Sequence, residues 1–451
     1  MQRRRERGVS GVLTVGPRCP RLPRFLHRGA VIMRTCLHAL RKAAWIVGVV
    51  LGSSSAGGQP APVEVQVTRS FIADLEFDWG RDGTYCATCN FGAGNARFTF
   101  TDIKNNLWVG NIDPDTGNFV PPNGHGMLAG TDAAQADDFG NGPEWLNGPQ
   151  GSQIAYMKYL PGMPHDPANA GVAVATFDGA AWNGDFIVDG VARYQPKGSL
   201  DVDDPRPRLV YQNRAGSNFR AFARYLDDPA SEIQLPGNKP VCSRNWVPAT
   251  QALVYTAPCL ARSSSARPAQ VYWYDFPTHT LEQVTFDTGV KLYAVAWRAP
   301  EFGNDYALAT VADRTDIVIY RRSVDSGGSA TWTRVNTIPA PAATPYVTSP
   351  EVFVHNGKSY VIYQVSSSLQ ATDFRIPTHI AITGIDPAVP SVRLLTNDDS
   401  VIRVRQDPEY YITTLGPFIY YNRYVPATET SGIKLEGIWR VDTGLGPAVP
   451  Q

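Results

Sequence analysis

The stretch Ser349-Pro-Glu-Val-Phe-Val-His-Asn-Gly-Lys-Ser-Tyr-Val-Ile-Tyr363 decides the fold. Apolar and aromatic residues flank Asn356-Gly357, a dipeptide typical of two-residue β-hairpin turns. The turn predicts a hairpin and places His355 at the surface beside it. A further apolar strand ending in an aspartate turn follows at Ile382–Asp386. The stretch therefore predicts successive antiparallel strands.

The same pattern recurs about every 50–60 residues, a period typical of structural repeats. Each repeat begins at a proline and places an apolar strand within about a dozen residues. The starts are Pro143-Glu144-Trp145, Asp204-Pro205-Arg206, Val247-Pro248-Ala249, Pro300-Glu301-Phe302, Pro350-Glu351-Val352 and Pro408-Glu409-Tyr410. The strands that follow them are Gln153–Tyr156, Leu209–Tyr211, Ala252–Tyr255, Tyr306–Ala309, Tyr360–Tyr363 and Phe418–Tyr421.

Short strands joined by Gly, Asp and Asn turns at this period predict an all-β fold, a β-propeller. Adding a divergent first repeat near Phe71–Pro122 gives seven four-stranded blades. Five or six blades remain alternatives, because the first repeat and Asp201–Gly237 lack clean motifs. The alternating run Val63-Glu-Val-Gln-Val67 is expected to pair with the last blade near Ile438–Val441 and so close the ring.

The N-terminal 58 residues are expected to be separate from the folded body. Residues 1–32 are rich in Arg and Pro and are interpreted as an over-extended or disordered leader, with Met33 as the true start. Residues 33–58 run from basic to apolar to small residues, the order of a secretory signal peptide, with cleavage expected near Ala56. A membrane anchor is the alternative. The body, 59–451, is then a single propeller domain in a secreted or periplasmic protein.

Charge is unevenly distributed, although the 41 basic and 41 acidic residues cancel. Residues 1–58 hold 11 Arg or Lys and one acid, which leaves 30 basic and 40 acidic residues in the body. This acidic balance argues against a nucleic-acid partner, whose phosphates require clustered Lys and Arg. Beyond residues 43–51, no apolar run approaches the roughly 18 residues that span a bilayer, so no membrane span is expected after signal cleavage.

Four cysteines lie in the body, and in an oxidising compartment they are expected to pair. Cys242 and Cys259 flank the strand Ala252–Tyr255 and are predicted to form a disulfide. Cys86 and Cys89 are predicted to form a tight local disulfide, because a zinc site of four cysteines would require a second CxxC motif. No metal site and no cofactor are predicted, with a structural calcium at Asp113-Pro-Asp-Thr-Gly117 as a minor alternative.

Three motifs carry family resemblances. Pro143-x-Trp145 followed by Gly151-x-x-Ile-Ala-Tyr156 resembles the repeats of TolB-like propellers. Residues 323–332 resemble a sialidase Asp-box, and the segments Trp297–Phe302 and Ser349–Tyr360 resemble blade starts of family 43 glycoside hydrolases. These resemblances cover about two thirds of the body and imply a propeller, because blade motifs identify the fold rather than the chemistry.

The family 43 resemblance also implies where a catalytic base and acid would lie. The base of those enzymes belongs to an Asp-Pro motif in an early blade, which Asp204-Pro205 matches. The acid belongs to a Glu-Gly motif in a middle blade. Glu436-Gly437 is the Glu-Gly of this chain, and it lies in the last repeat, so it departs from the family pattern.

Glutamate recurs at the repeat starts, which should face one another around the central channel. The catalytic candidates are Glu144, Glu301, Glu351 and Glu409, together with Asp204. Carboxyl groups brought together raise one another's pKa, so one stays protonated while another acts as a base. Glycoside hydrolysis uses such a pair. The other interpretation is that these glutamates accept hydrogen bonds from backbone N–H groups of the neighbouring blade.

Arg206 and three tryptophans, Trp145, Trp246 and Trp297, are the candidate substrate-binding residues. Indole rings stack on sugar rings, although blade cores also use tryptophan at such positions. Three functions remain open. The first is an exported enzyme that hydrolyses glycosidic bonds in a polysaccharide or oligosaccharide. The second is a non-catalytic TolB-like propeller that binds a glycan or a cell-envelope protein. The third is a polysaccharide lyase that uses a histidine.

Overall fold

The computed structural model describes most of the body of the chain. The described residues are 62–78, 96–134, 142–148, 151–188, 192–200, 206–215, 218–236, 240–259, 268–369, 374–389, 392–397 and 402–449. The leader and signal segments 1–58, the pair Cys86 and Cys89, and Asp204 lie outside these ranges, so their assignments stay predictions.

Seven antiparallel sheets follow one another along the chain, and the first strand, β1 (Glu64–Thr68), belongs to the last of them. Blade 1 contains β2 (Ala73–Phe77), β3 (Arg97–Thr101), β4 (Leu107–Ile112) and β5 (Phe119–Val120), and β6 (Met127–Gly130) also pairs with β4. Blade 2 contains β7 (Glu144–Gly148), β8 (Gly151–Tyr159), β9 (Ala170–Phe177) and β10 (Trp182–Val188). Blade 3 contains β11 (Arg193–Gly198), β12 (Arg208–Ala215), β13 (Asn218–Tyr225) and β14 (Asp228–Gln234).

The remaining blades follow the same order. Blade 4 contains β15 (Cys242–Trp246), β16 (Ala252–Ala257), β17 (Gln270–Asp275) and β18 (Thr280–Gln283). Blade 5 contains β19 (Lys291–Ala299), β20 (Asp305–Ala312), β21 (Asp316–Val324) and β22 (Ala330–Pro339). Blade 6 contains β23 (Tyr346–His355), β24 (Lys358–Ser366), β25 (Thr378–Gly384) and β26 (Arg393–Leu394). Blade 7 contains β27 (Val404–Thr413), β28 (Gly416–Val425) and β29 (Lys434–Asp442), with β1 as its outermost strand.

The protein is a seven-bladed β-propeller, as the repeat count predicts. The first strands of the blades contact one another in sequence, and β27 of blade 7 also contacts β2 of blade 1, so these inner strands form a closed ring. Two short 3-10 turns, Pro167–Asn169 and Pro300–Phe302, are the helical elements of the described residues. Within the same residues, no helix is long and apolar enough to cross a membrane.

The predicted closure of the ring is confirmed. Strand β1 pairs antiparallel with β29, and its residues Glu64 to Thr68 face Val441 to Ile438. The N-terminal and C-terminal strands of the propeller therefore share one sheet, which covers the edge of β29 and ties both ends of the ring together.

Apolar packing lies between the blades rather than in one central core. Seven buried clusters each join residues of two neighbouring blades, and one of them links blade 7 to blade 1 through Phe77, Phe98, Tyr411 and Tyr420. The centre of the ring is consequently left to the residues of the inner strands.

The disulfide between Cys242 and Cys259 is present, and the two Cα atoms lie 5.2 Å apart in blade 4. The predicted hairpin at Asn356-Gly357 is also present, since His355 pairs with Lys358 and both turn residues have positive φ. The surface position predicted for His355 is wrong. Its side chain is buried, and its Nε2 lies 2.9 Å from the carbonyl oxygen of Gly446, because the C-terminal segment folds over the hairpin.

Candidate functional site

A β-bulge interrupts six of the seven inner strands at one equivalent place. Each bulge spans four residues of the inner strand, from Ala73 to Glu76 in blade 1. The second of the four has a positive φ, between 45° and 57°. These residues are Asp74, Gln195, Ser243, Tyr293, Ser349 and Asp407. Bulges turn the following side chain away from the regular alternation of a strand. The seventh inner strand, β7, begins at this place, with Glu144.

The residues that follow the bulges, together with Glu144, line one pocket at the centre of the ring. We call them the channel ring: Glu76, Glu144, Lys197, Asn245, Val295, Glu351 and Glu409. The pocket has a cavity volume of about 100 Å³. Each blade contributes one side chain to the channel ring.

The charges of the channel ring are asymmetric. Its four glutamates occupy consecutive blades 6, 7, 1 and 2, followed by Lys197 in blade 3, whereas Asn245 and Val295 occupy blades 4 and 5. The Lys197 ammonium forms an ion pair with the Glu144 carboxylate. No other ion pair involves a glutamate of the channel ring among the described residues.

Two aspartates add to this negative charge. Asp74 and Asp407 lie two residues before Glu76 and Glu409, at the positive-φ positions of their bulges. Together with the four glutamates of the channel ring, they make six carboxyl groups that interact electrostatically around the channel.

The Asp74 side chain also fixes a glycine in blade 2. A Cβ on Gly142 would fall 1.9 Å from the Cβ of Asp74, so glycine is required where the chain enters the inner strand of blade 2 beside blade 1.

Burial and mutual repulsion keep several of these carboxyls protonated near neutral pH. Burial raises the pKa of Glu351 to about 8, with Glu144 and Asp407 adding to the shift and Lys197 opposing it. Burial and the neighbouring acids likewise raise the pKa of Asp74 to about 7 and that of Asp407 to about 6. For the same reasons the pKa values of Glu76 and Glu409 lie well above the ordinary range.

Lys197 is held as a cation in these surroundings. Burial lowers the pKa of its ammonium, but Glu144 and Glu76 outweigh this effect and raise it above the ordinary value. The site thus combines the ion pair of Lys197 and Glu144 with five carboxyls whose pKa values are raised.

Two buried side chains of the site have polar atoms without a partner. Glu409 is only 4% exposed and lines the pocket, yet its Oε2 has no hydrogen-bond partner among the described residues. Arg244, which precedes Asn245, is 2% exposed and donates from Nη2 to the backbone and side-chain oxygens of Gln195. Its Nε and Nη1 have no acceptor within the described part of the chain, and burial lowers its pKa to about 9.

The structure brings Glu144, Glu351 and Glu409 together but places Glu301 elsewhere. Glu301 lies in the 3-10 turn after β19, and its carboxylate accepts hydrogen bonds from the backbone N–H and the hydroxyl of Ser359 in blade 6. The blade 5 position of the channel ring belongs to Val295, because Pro300 starts a turn and does not follow a bulge. Catalytic roles for these glutamates stay predictions.

Arg206 also lies away from the channel ring. Its guanidinium is half-exposed, pairs with Asp227 and Asp228, and lies over the ring of Tyr225 at 4.0 Å. The residue of blade 3 that reaches the channel is Lys197, which follows Pro196 rather than Pro205. A substrate-binding role for Arg206 stays a prediction.

The three tryptophans line the pocket and also join blades. The Trp145 indole donates to the carbonyl of Glu76 at 3.0 Å, and that of Trp246 donates to the carbonyl of Lys197 at 2.9 Å. Trp297 donates to the hydroxyl of Ser359 at 2.9 Å. Trp145 and Trp246 therefore join neighbouring inner strands, and Trp297 joins blade 5 to the second strand of blade 6. All three are at most 5% exposed, so they offer only an edge to a ligand.

Glu76 and Lys197 were missed by the repeat alignment. Glu76 follows Leu75 rather than a proline, and Lys197 belongs to a Pro-Lys pair nine residues before the Asp-Pro start that the alignment used. A search for one polar residue near the end of every inner strand, without requiring proline, would have found both.

The other candidates lie outside the pocket. Asp113 Oδ1 accepts from the backbone amides of Asp115 and Thr116, as in an ordinary aspartate turn. No group of three His, Cys, Asp or Glu residues in the described ranges has a geometry that could hold a metal ion. The described histidines do not line the pocket: His165 stacks on Tyr159, and His279 lies 3.0 Å from the Tyr274 hydroxyl.

No protein-family model matches the chain, and no curated protein matches it. Solved structures similar to it include TolB from Acinetobacter baumannii, at 13% identity and a TM-score of 0.35, covering 65% of this chain. This chain spans 64% of the length of that TolB. The Dos1 propeller has 9% identity, a TM-score of 0.47 and coverage of 82% and 78% of the two chains. A putative TolB from Agrobacterium tumefaciens has 8% identity, a TM-score of 0.33 and coverage of 60% and 83%.

Proposed function

We propose that this chain is an exported β-propeller that binds a saccharide in its central pocket. The observation that carries the proposal is the channel ring, where four glutamates face one pocket and a single lysine pairs with one of them. A carboxyl group accepts hydrogen bonds and, when protonated, also donates one, so the pocket suits a ligand whose groups do both, as the hydroxyls of a sugar do. The side chains of Asn245 and Lys197 add hydrogen-bond donors, which suit the ring oxygen and the other acceptor oxygens of the same ligand.

Export is supported by the disulfide between Cys242 and Cys259, since such bonds persist in oxidising compartments. It also agrees with the signal-like order of residues 33–58. A secreted or periplasmic location would place the pocket among cell-envelope or environmental glycans. A cell-envelope protein as a partner remains the second choice, because Glu409 Oε2, a buried atom without a partner among the described residues, belongs to a residue that lines the pocket.

Hydrolysis of the bound saccharide is the second candidate function. The different surroundings of the Glu351 and Glu144 carboxyls favour it. Glu351 has a pKa of about 8 and would be protonated at pH 7, whereas Glu144 is paired with Lys197. A protonated and an ionised carboxyl in one pocket are what acid–base cleavage of a glycosidic bond needs. A histidine-based lyase gains no such support, since the described histidines lie outside the pocket.

Calorimetric titration of the mature chain with a panel of oligosaccharides tests the proposal. We expect one class of oligosaccharide to bind, and Glu144→Gln to weaken binding by about tenfold or more because it removes a charge-assisted acceptor. Glu429→Gln is the matched control, since Glu429 is exposed in the loop between β28 and β29 and does not line the pocket. No binding by any oligosaccharide, or equal binding by wild type and Glu144→Gln, would reject the proposal.

Reducing-end release from the bound oligosaccharide separates binding from hydrolysis. If Glu351 donates a proton to the leaving oxygen, Glu351→Gln should lower turnover by about 10²–10⁴-fold while the protein still folds. Tight binding without any release of reducing ends would leave the chain as a binding module.

A further inference from the structure

The carboxylate of Glu409 is the starting observation. The side chain is 4% exposed, it lines the pocket, and its Oε2 has no hydrogen-bond partner among the residues that the structure describes. A buried acceptor without a partner destabilises a fold. Such an atom at a pocket wall is therefore placed to accept a hydrogen bond from a ligand.

The surroundings of Glu409 define the charge of that ligand. Its neighbours in the ring are Glu351 on one side and Glu76 on the other, and Asp407 lies two residues before it. Lys197 pairs with Glu144 and also acts on Glu76 and Glu351, so one ammonium of the channel ring faces four glutamates and two aspartates. A cation inserted into a partly buried pocket is attracted more strongly than in water, because the local dielectric constant is lower.

The geometry favours an organic cation over a bare ion. No three acidic side chains in the described residues converge closely enough to hold a metal. The facing wall is formed by Val295 and Asn245, which suits the uncharged part of a larger molecule. A primary ammonium has three donors that can reach separate carboxylates, whereas an amide nitrogen is neutral and has at most two.

We propose that the channel ring binds the protonated amine of an amino sugar, a saccharide whose nitrogen is free rather than acetylated. This inference rests on the proposed saccharide-binding function and names the substrate class of the same pocket. The ammonium would donate to Glu409 Oε2, with the other carboxyls of the channel supplying the surrounding negative charge, and the sugar ring would extend toward Asn245.

Proton release follows from this arrangement. Burial raises the pKa values of Glu76, Glu351, Glu409, Asp74 and Asp407, so several are protonated when the pocket is empty at pH 6.5. The other charged or titratable groups that interact with them are Glu144, Lys197, Arg244 and Tyr424. A cation favours the ionised carboxyls, so its binding expels protons, and affinity should rise with pH until the ligand amine loses its own proton.

Titration calorimetry at pH 6.5, in two buffers of different ionisation enthalpy, measures both affinity and proton release. The probes are a fully deacetylated glucosamine tetramer and the N-acetylglucosamine tetramer of the same length. We expect the free-amine tetramer to bind about tenfold or more tightly than the acetylated one, and to release about one proton. Glu409→Gln should weaken its binding by about tenfold or more, and Glu429→Gln should not.

Four outcomes would overturn the inference, and they distinguish it from the proposed function. If the acetylated tetramer binds as well or better, saccharide binding stands and the amine assignment fails. If neither tetramer nor any other oligosaccharide binds, both fail. If a lysine peptide binds and the glucosamine tetramer does not, the saccharide assignment fails. Binding of the free-amine tetramer by wild type without proton release would also reject the inference. If Glu409→Gln does not fold, Glu351→Gln replaces it as the test variant.

Discussion

At the scale of single residues, the acidity of the channel depends on which side chain follows each bulge. Glu76, Glu351 and Glu409 lie two residues after a left-handed residue and line the pocket, whereas Glu301 lies six residues beyond the end of its own bulge and contacts Ser359 instead. Two glutamates with the same Pro-Glu context thus have different tasks. Glu351 contributes a carboxyl to the pocket, and Glu301 fixes blade 5 to blade 6.

Glu301→Gln tests that distinction. The Glu301 carboxylate accepts from the backbone N–H and the hydroxyl of Ser359, and Ser359 in turn accepts from the Trp297 indole. Loss of the charge-assisted bonds should lower the free energy of unfolding by about 1–3 kcal/mol. Denaturant unfolding measures this loss, and saccharide binding by the folded variant should match wild type. Unchanged stability together with lost binding would assign Glu301 to the ligand site instead.

At the scale of elements, strand β1 is held by ion pairs as well as by its antiparallel pairing with β29. The Glu64 carboxylate accepts hydrogen bonds from Arg405 Nε at 3.0 Å, Tyr421 Oη at 2.7 Å and Arg423 Nη1 at 3.3 Å. Arg405 is 1% exposed. Burial acts to raise the pKa of Glu64, but Arg405 and its other donors outweigh it and lower the pKa below the ordinary value. The closing strand is therefore anchored by a buried ion pair.

Glu64→Gln should destabilise the whole propeller. Removing one partner of this buried ion pair leaves an uncompensated charge on Arg405, which should lower the free energy of unfolding by about 3–5 kcal/mol. Asp305→Asn is the matched control, because its pair with Arg321 is more exposed and such pairs contribute only about 0–1 kcal/mol. Thermal unfolding of both variants against wild type measures the difference. Equal melting temperatures for the two variants would show that β1 does not close the ring through Glu64.

The elements themselves could be predicted from the sequence better than the site. The second strands at Ala252–Tyr255 and Phe418–Tyr421, and the closing strand, lie where the apolar patterns predict them, because burial between blades imposes those patterns. The channel ring could be predicted only in part. A bulge depends on a left-handed residue such as Asp407 or Tyr293, and no regular residue type marks it. Glu76 follows no proline, and the Pro196-Lys197 pair competes with the later Asp204-Pro205 as the start of its repeat.

At the scale of the whole molecule, two sets of carboxyls act on stability in opposite directions with pH. Glu64 and Glu436 have lowered pKa values, so the stability that they contribute is present above about pH 4.5 and is lost in acid. The channel carboxyls have raised pKa values, so the folded state holds more protons than the unfolded chain between about pH 4.5 and 8. Stability should therefore fall as pH rises through that window.

Glu351→Gln isolates the channel contribution to this pH dependence. The amide cannot ionise, so the variant avoids the penalty of charging Glu351 in the pocket, a penalty on the order of 1 kcal/mol per unit of pKa shift. Its melting temperature, relative to wild type, should be higher at pH 8.5 than at pH 5.5. The Glu429→Gln control should follow the wild-type curve at every pH. A variant whose melting temperature parallels wild type across the range would contradict the account.

The direct measurement of the acidic pocket is a pH titration of the protein with ¹³C-labelled glutamate side chains, followed by NMR. We expect a carboxyl resonance that titrates near pH 8 and disappears in Glu351→Gln, with further glutamates titrating well above the ordinary range. Every glutamate carboxyl titrating close to the ordinary value of about 4.3 would show that the channel ring does not concentrate uncompensated charge, and would contradict the central claim.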